Sequence, residues 1–442
     1  MKKKWIKVMT LFSGYDAQIM AVRKAIKNLK KNLGIKVIGW SDIDRTVRAI
    51  HNVVFPEYAD KCYPDVREIP WGSLESPDIL FYSSPCQSVS RAGQRKGMKK
   101  GTETESQLIW AVEHAIATLR PKYCVLENVE GMLDADFSED FISWCRTLSE
   151  YGYANSFKVL SSADFGVPQN RKRIFLVSIR IDKDDAYPVF QWPEPYKLTV
   201  KPEDLLEDFI DDEYYLSCEE QDTFIDVVKN AKEGYSSGVT RKKKYPTKLL
   251  NSQFYKRVSA FVSPLCKNET IPTLMVGLQS ANLTSITGCR RDKCPCVIEV
   301  WEGPQNLKKQ KLLNAKLSQQ VVKAMRVCPD RERILATVNS LKTNEYLRVR
   351  YITPIEALRF MGVDEQYIKR ITDPYSSLSK EGLSEDEVKK LLTIDNRYTP
   401  ISNYAIYGRA GNSIVVDVLA AITEQILNRI DKASRSEQQK AA

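Results

Sequence analysis

The 442 residues carry 66 Lys and Arg against 56 Asp and Glu, a net charge of +10, and 43% are hydrophobic. This is enough apolar material for one large domain plus one or two smaller units, and the positive balance suits a polyanionic partner. His51 and His114 are the only histidines, which argues against His-based catalysis; the ten cysteines lack a disulfide-framework spacing, and no stretch reaches the roughly 20 apolar residues of a membrane helix. The start, Met1 to Trp5, has the charge of a secretory leader, but the apolar run after it is too short, so a soluble, intracellular protein is expected.

In chain order, Trp5 to Phe12 reads as a strand, Ser13 to Asp16 as a turn and Ala17 to Leu29 as an amphipathic helix with Ile19, Met20, Val22 and Ile26 on its apolar side. Lys36 to Trp40 is a second strand ending near Asp42. A β–turn–α–β unit with a Gly-bearing turn and an acid after the second strand is a nucleoside-binding pattern, the acid accepting from ribose hydroxyls. The pattern is incomplete, since Asp16 and Ala17 stand where further glycines would be. Asp42 and Asp44 can equally cap a helix starting near Arg45.

Asp65-Val66 falls in a turn, and Asp78 to Tyr82 is a buried strand that leads through Ser83-Ser84-Pro85 to Cys86. A lone cysteine is by default a buried structural residue. Here it sits past a strand's carboxyl end, where open α/β sheets place their chemistry, and precedes a basic, Gly-bearing loop from Arg91 to Gly101 that favours a thiolate. Gln107 to Leu119 reads as a helix. Tyr123 to Leu126 is a strand delivering Glu127-Asn128-Val129, Phe137 to Tyr151 a helix and Phe157 to Leu160 a strand. A loop from Asp164 then brings Gln169-Asn170-Arg171-Lys172-Arg173 into the strand Ile174 to Ile179. This alternation predicts a doubly wound, mostly parallel sheet.

Beyond Ile181, Pro188, Pro193, Pro195 and Pro202 mark a linker. Residues 201–228 hold 11 acids and one base, whereas residues 240–350 hold 22 bases and seven acids with aromatic residues interleaved. The second composition is that of a nucleic-acid-facing module or of a solvated basic face. Cys289, Cys294 and Cys296 lack the paired Cys-x2-Cys spacing of structural zinc sites, and no metal is expected. Tyr351 to Met361 reads as a helix opening at Thr353-Pro354, Ser379 to Leu392 as a charged helix, Gly408 to Asn412 as a Gly-rich turn, and Ser413 to Ile430 as a long apolar-periodic helix.

Taken in order, these motifs resemble the C5-cytosine DNA methyltransferase family over nearly the whole chain. Leu11-Phe12-Ser13-Gly14 is similar to its cofactor loop, with Thr10 where an Asp is usual. Asp42 stands at its ribose-binding acid, Ile43 where an aromatic residue packs on adenine, and Asp65-Val66 at the adenine-contacting pair. Pro85-Cys86-Gln87 is similar to its nucleophile motif, with Ser90 and Gly93 in the loop after it. Glu127-Asn128-Val129 and Gln169-x-Arg171-x-Arg173 are similar to its next two motifs. Arg350 to Gly362 and Gly411-Asn412-Ser413-Ile414-Val415-Val416 are similar to its last two.

The resemblance implies a doubly wound mixed α/β sheet of the S-adenosylmethionine-dependent methyltransferase type with a smaller target-recognition domain. It implies a catalytic domain over 1–192, target recognition over 193–404, and a C-terminal helix over 405–442 returning to the first domain. S-adenosylmethionine is the implied cofactor, held by Phe12, Ser13, Gly14, Asp42, Ile43, Asp65, Val66, Pro85, Asn412 and Ser413. Cys86 is the implied nucleophile for cytosine C6. Glu127 would act at the ring's N3 as a buried carboxyl carrying a proton, and Asn128 would orient Glu127 or the Cys86 loop. Arg171 is the expected base-side contact, with Arg173 either there or in a structural ion pair. Duplex DNA, its target cytosine flipped out, would meet Gln87, Ser90, Arg91, Arg95 and Lys96 of the mobile loop and Thr273-Leu274 of the recognition region. The expected setting is a cytoplasmic, nucleoid-associated monomer of bacterial or phage type, with a cognate restriction endonuclease as a candidate partner. Two other readings stay open, a tRNA cytosine-5 methyltransferase and an inert nucleic-acid-binding protein.

Overall fold

The computed structural model describes residues 3–85, 105–182, 188–208 and 345–441, together with 210–211, 214 and the strand segments 271–272, 296–302 and 323–327. β1 (Lys4–Leu11), β2 (Leu33–Ser41), β3 (Cys62–Tyr63), β4 (Ile79–Tyr82), β5 (Tyr123–Val129), β6 (Tyr153–Ser161) and β8 (Lys172–Arg180) form one sheet in the order β3-β2-β1-β4-β5-β8-β6. The pairs from β3 to β5 are parallel, whereas β8 runs antiparallel to both β5 and β6. The sheet is therefore mixed, and its strand order reverses between β1 and β4.

Alternate residues of the central strands feed two separate cores. Ile79, Phe81, Val125 and Val177 join one, and Leu80, Tyr82, Leu126 and Leu176 the other. A strand buried on both faces has to be apolar throughout, which is why β4 and β5 read as unbroken apolar runs. The second core is covered by α3 (Ala111–Leu119) and α4 (Ser138–Glu150). On the first face α1 (Ala17–Asn28) packs along the last helix, α10 (Val416–Ala441), so the chain's end closes the layer its beginning opened. α2 (Arg45–Val54) follows β2, and Asp44 caps it by accepting from Thr46 and Val47 N–H groups.

The Pro-rich segment after β8 is tied down in part. Phe190 enters the first core, and Trp192 Nε1 donates to Ser156 Oγ at 2.9 Å. β7 (Gln169–Asn170) pairs with β9 (Ile271–Pro272), and β10 (Cys296–Glu302), β11 (Lys323–Val327) and β12 (Glu345–Tyr351) form an antiparallel sheet in the order β11-β10-β12.

Past residue 350 the structure departs from the periodicity reading at three places. The helix expected over 351–361 starts only at α5 (Pro354–Arg359), because Tyr351 still pairs with Cys296 and Thr353 caps the helix in a reciprocal box with Glu356. After α6 (Glu365–Thr372), the helix expected over 379–392 is the shorter α8 (Glu385–Leu391), set off from α7 (Pro374–Ser379). Gly382 at φ +98° breaks the chain between them, and Ser384 caps α8. The Gly-rich turn expected over 408–412 is the second half of α9 (Asn403–Asn412). Gly408, Ala410 and Gly411 are buried there, and small side chains let α9 approach α5 closely enough for packing to outweigh glycine's poor helix propensity. Leu378, Val388, Leu392 and Ile394 pack against Ala49 and Val53 of α2, and Arg48 holds Asp395 through two bonds of 3.1 and 2.6 Å. Among the described residues no single helix is long and apolar enough to cross a membrane.

The return from β12 is fixed by a fully buried ion pair. Arg350 Nη1 and Nη2 donate to Glu356 Oε2 and Oε1, both at 2.8 Å, and the same carboxylate accepts from the Thr353 and Glu207 N–H groups. Removing one member of such a pair strands the other charge away from water. Arg350→Met is therefore expected to lower unfolding stability by about 3–5 kcal/mol in urea titrations. The double variant R350M/E356Q should be less destabilised than R350M alone.

Candidate active site

The polar groups converge where open sheets place their sites, outside the carboxyl ends of β1, β2, β4 and β5 at the strand-order reversal. A cavity of about 550 Å³ opens there. Its wall includes Phe12, Ser13, Gly14, Asp42, Ile43, Asp65, Val66 and Pro85. On the opposite side it includes Glu127, Asn128, Arg171, Arg173, Asn412 and Ser413. Every described residue expected at the cofactor or at the reacting base lies on this one cavity.

The β1 end turns sharply, with Phe12 at φ +56° and Gly14 at φ +59°. The turn points the Gly14 N–H at Asp42, whose Oδ2 accepts it at 3.0 Å while Oδ1 accepts the Asp44 N–H at 3.0 Å. Of the two acids after β2, Asp44 is the helix cap, and Asp42 closes the Gly14 loop and lines the cavity. Removal from water raises the Asp42 carboxyl above its ordinary value, against the two backbone N–H groups and the Arg409 charge that lower it. Arg409 donates to Asp44 Oδ2 at 2.8 Å at the same rim. Asp65 caps the short turn Val66–Glu68, and its carboxyl is held low by the Arg67 guanidinium bonded to it. Ile43 is 68% exposed.

The β4 and β5 ends meet side by side. Glu127 is buried, accepts from Ser83 Oγ at 2.8 Å, and lies 3.3 Å from Arg173 Nε. Asn128 donates its amide to the Ser84 carbonyl at 3.2 Å, two residues before Cys86, and its Oδ1 accepts the Val129 N–H. Asn128 thus holds the root of the Cys86 segment. Ser84 Oγ is buried in the cavity wall without a hydrogen-bond partner among the described residues. A buried hydroxyl left open on a cavity is a place for a ligand's polar atom.

The two arginines both line the cavity and are held by different partners. Arg171 is buried and donates through Nη2 to the carbonyls of Gly411 at 3.0 Å and Ser413 at 2.7 Å, clamping the C-terminal block onto the sheet. Arg173 is the one facing the Glu127 carboxylate. Residues two apart on a strand share a face, but Arg171 precedes β8, where the backbone turns, and so escapes that alternation. Gln169 is buried too, and its Nε2 donates to the Phe360 carbonyl at 2.6 Å.

Cys86, Gln87, Ser90, Arg91, Arg95, Lys96, Thr273 and Leu274 lie outside the described residues, as do Cys289 and Cys294. Burial pushes the thiols of Cys62 and Cys145 up to about 12 and that of Cys124 higher still, so these three are inert at neutral pH. Periodicity alone did not single out Ser83, Ser84 or Arg409. The serines precede the cysteine and were readable; Arg409 reaches the rim only once α9 has packed.

This is a polar ligand cleft at the topological switch point of a mixed α/β sheet, and comparison with known proteins gives its class. The profile of C-5 cytosine-specific DNA methylases matches residues 6–382. The orphan methyltransferase M.SPRI of Bacillus phage SPR is 25% identical over 469 aligned residues, covering 96% of this chain and 98% of that one. The type II methyltransferase M2.ScrFI of Lactococcus lactis subsp. cremoris is 34% identical over 157 residues, 36% of this chain and 42% of that one. The crystal structure of S. pombe Dnmt2 methyltransferase shares the fold, with a TM-score of 0.51 at 16% identity over 96% of this chain and 99% of that one. The chain belongs to the C-5 cytosine-specific DNA methylase family.

A carboxyl raised by the fold makes its ionisation cost stability. The native state keeps the Asp42 proton over a pH range in which the unfolded chain has already lost it, so this contribution falls as pH rises from the ordinary carboxylate range through the raised value. Asp42→Asn removes that dependence. The melting temperature of the variant relative to wild type should shift in the variant's favour as pH is raised from acid to neutral. A constant difference across that range would mean Asp42 ionises normally.

Proposed function

We propose that this protein transfers a methyl group from S-adenosylmethionine to C5 of a cytosine flipped out of duplex DNA. The observation that carries the reading is the meeting of Glu127, Asn128 and Arg173 with Ser83-Ser84-Pro85, immediately before Cys86, on the same cavity as Gly14 and Asp42. The residues fit the cofactor. The cavity has the size of a small-ligand site, Asp42 offers carboxylate oxygens for ribose hydroxyls, Val66 and Ile43 supply apolar wall, and Ser84 Oγ has no partner among the described residues. When bound, the cofactor supplies an electrophilic methyl group on sulfur.

Cytosine C5 is too weak a nucleophile to take that methyl unaided. The Cys86 thiolate adds to C6, forming the S–C6 bond and pushing the ring electron pair to C5. Glu127 acts at the N3 edge, where a proton or a strong hydrogen bond absorbs the charge that addition would place in the ring. Arg173, next to Glu127, fixes that carboxyl and supplies positive charge beside the base. Asn128 keeps the Ser84 carbonyl, and with it the Cys86 segment, in register with Glu127. C5 then takes the methyl. A base, taken to be water since neither histidine lines the cavity, removes the C5 proton, and the electron pair returns to expel the Cys86 thiolate. Arg171 serves as the clamp on Gly411 and Ser413, and Asn412 and Ser413 border the cofactor.

The division into a catalytic unit over 1–192, recognition over 193–404 and a returning helix over 405–442 is kept as part of this reading. The basic residues of 240–350 supply the affinity for DNA, and the Arg91–Lys100 loop contacts phosphates around the flipped base. Action as a cytoplasmic monomer, with or without a companion endonuclease, goes with it.

The purified full chain should move label from S-adenosylmethionine to cytosine in duplex DNA, and Cys86→Ser should abolish transfer. A duplex carrying 5-fluorocytosine should trap the wild type, but not C86S, as a covalent adduct on denaturing gels. Label appearing in tRNA and not in DNA would refute the DNA assignment. Glu127→Gln should lower turnover by about 10²–10⁴, the usual worth of a positioned proton donor.

A further inference from the structure

Behind the Gly14 turn lies a polar cluster cut off from water that the transfer reaction does not use. Asp16 is fully buried and sits at φ +64°, a left-handed conformation a non-glycine residue seldom adopts. Both its carboxylate oxygens are engaged. Oδ1 accepts the Ile19 N–H at 3.1 Å and so caps α1. Oδ2 accepts from Thr10 Oγ1 at 2.9 Å and from His51 Nε2 at 3.1 Å. Facing a carboxylate oxygen, Nε2 must carry the proton. His51 is itself fully buried on α2, its ring stacked on Trp40 with centroids 3.6 Å apart and planes 13° from parallel. Thr10 Oγ1 also lies 2.9 Å from Ser13 Oγ, and Ser13 Oγ and N–H both reach the Ser41 carbonyl.

One carboxylate thus ties together β1 through Thr10, the start of α1 through Ile19, and α2 through His51. Between the anchors, Phe12, Gly14 and Asp16 are all left-handed, three in five residues. A backbone in such a sparsely populated shape persists only where its surroundings over-determine it. The middle of the loop, Gly14 N–H, meets Asp42, and Asp42 leads directly into the Asp44 cap of α2, the helix that carries His51. The His51–Asp16 contact therefore sets the distance between the two halves of the cofactor wall from behind.

We propose that Asp16 and His51 are a buried positioning pair that fixes the Phe12–Asp16 loop against Asp42 and thereby sets cofactor affinity without touching the cofactor. The proposal rests on the reading of the cavity as an S-adenosylmethionine site. It differs from a purely structural role in which substrate constant moves. His51→Leu should raise both the Kd for S-adenosylhomocysteine, measured by calorimetry, and the KM for S-adenosylmethionine by about tenfold, while the KM for DNA and the turnover at saturating cofactor stay near wild type. His51→Gln, whose amide nitrogen reaches the place of Nε2, should recover most of the loss.

Thr10→Val keeps the shape and removes only the hydroxyl; it should raise the cofactor constants about threefold, and it decides the matter if His51→Leu does not fold. Unchanged cofactor constants in the folded variants, or cofactor and DNA constants rising together, would overturn the pairing role while leaving the functional reading intact. A wild-type protein that binds no S-adenosylhomocysteine would overturn that reading and this proposal with it.

Discussion

The parallel register of β4 on β5 is the constraint from which the site follows. Tyr82 stands opposite Leu126, so the two chains leave the sheet at the same level and on the same side. Ser83 then falls beside Glu127 and Ser84 beside Asn128, and the two polar contacts between the loops are consequences of that pairing. A slip of one residue would turn Glu127 to the opposite face and move the whole apolar set of β5 between the two cores. The register is thus held by the burial of Tyr82, Leu126 and their neighbours on both faces, well away from any chemistry. Packing that looks remote from the reaction decides where its carboxyl group sits.

The same logic explains why the sheet was legible in the sequence. Strands buried on two faces are unbroken apolar runs, and their polar residues occur only where the chain leaves the sheet, so Glu127 and the segment before Cys86 stood out as strand ends. The Pro85-Cys86-Gln87 and Glu127-Asn128-Val129 motifs stood out for the same reason, since each follows or ends an apolar strand. What local pattern could not convey was long-range pairing. Nothing near Arg171 indicates that its guanidinium will reach the carbonyls of Gly411 and Ser413, some 240 residues later. Gly408 to Asn412 reads as a turn from its own composition, and becomes helix only because α5 presses against it. Asp16 was noted merely as an absent glycine, since its value lies in contacts with Thr10 and His51 that the sequence does not announce.

Charge is handled in two distinct ways across the molecule. In the described core, buried polar and charged groups are met by fixed partners, Arg350 by Glu356, Arg171 by two carbonyls and Asp16 by three donors, because a group left without a partner away from water would be costly. The surplus that gives the chain its net +10 is concentrated in residues 240–350. Steering a polyanion is a long-range, salt-screened effect of unpaired charge, whereas holding a carboxyl group at a reacting base needs short, fixed contacts. Placing the two in different stretches of the chain lets the proposed recognition region vary in sequence without disturbing the pairs that shape the cavity.

That separation depends on how the inserted region is attached. The chain leaves the core after β8 and returns at β12, and both connections are anchored to the same short stretch. On the outgoing side Gln169, just before β8, holds the Phe360 carbonyl, and Glu207 N–H holds Glu356. On the returning side Arg350 holds Glu356 directly. Exit and re-entry therefore meet on α5, whose own neighbour α9 leads into the Gly411–Ser413 clamp on Arg171. The cavity is thus assembled from residues spread between Phe12 and Ile414, and its far wall is held in place through α5 and α9.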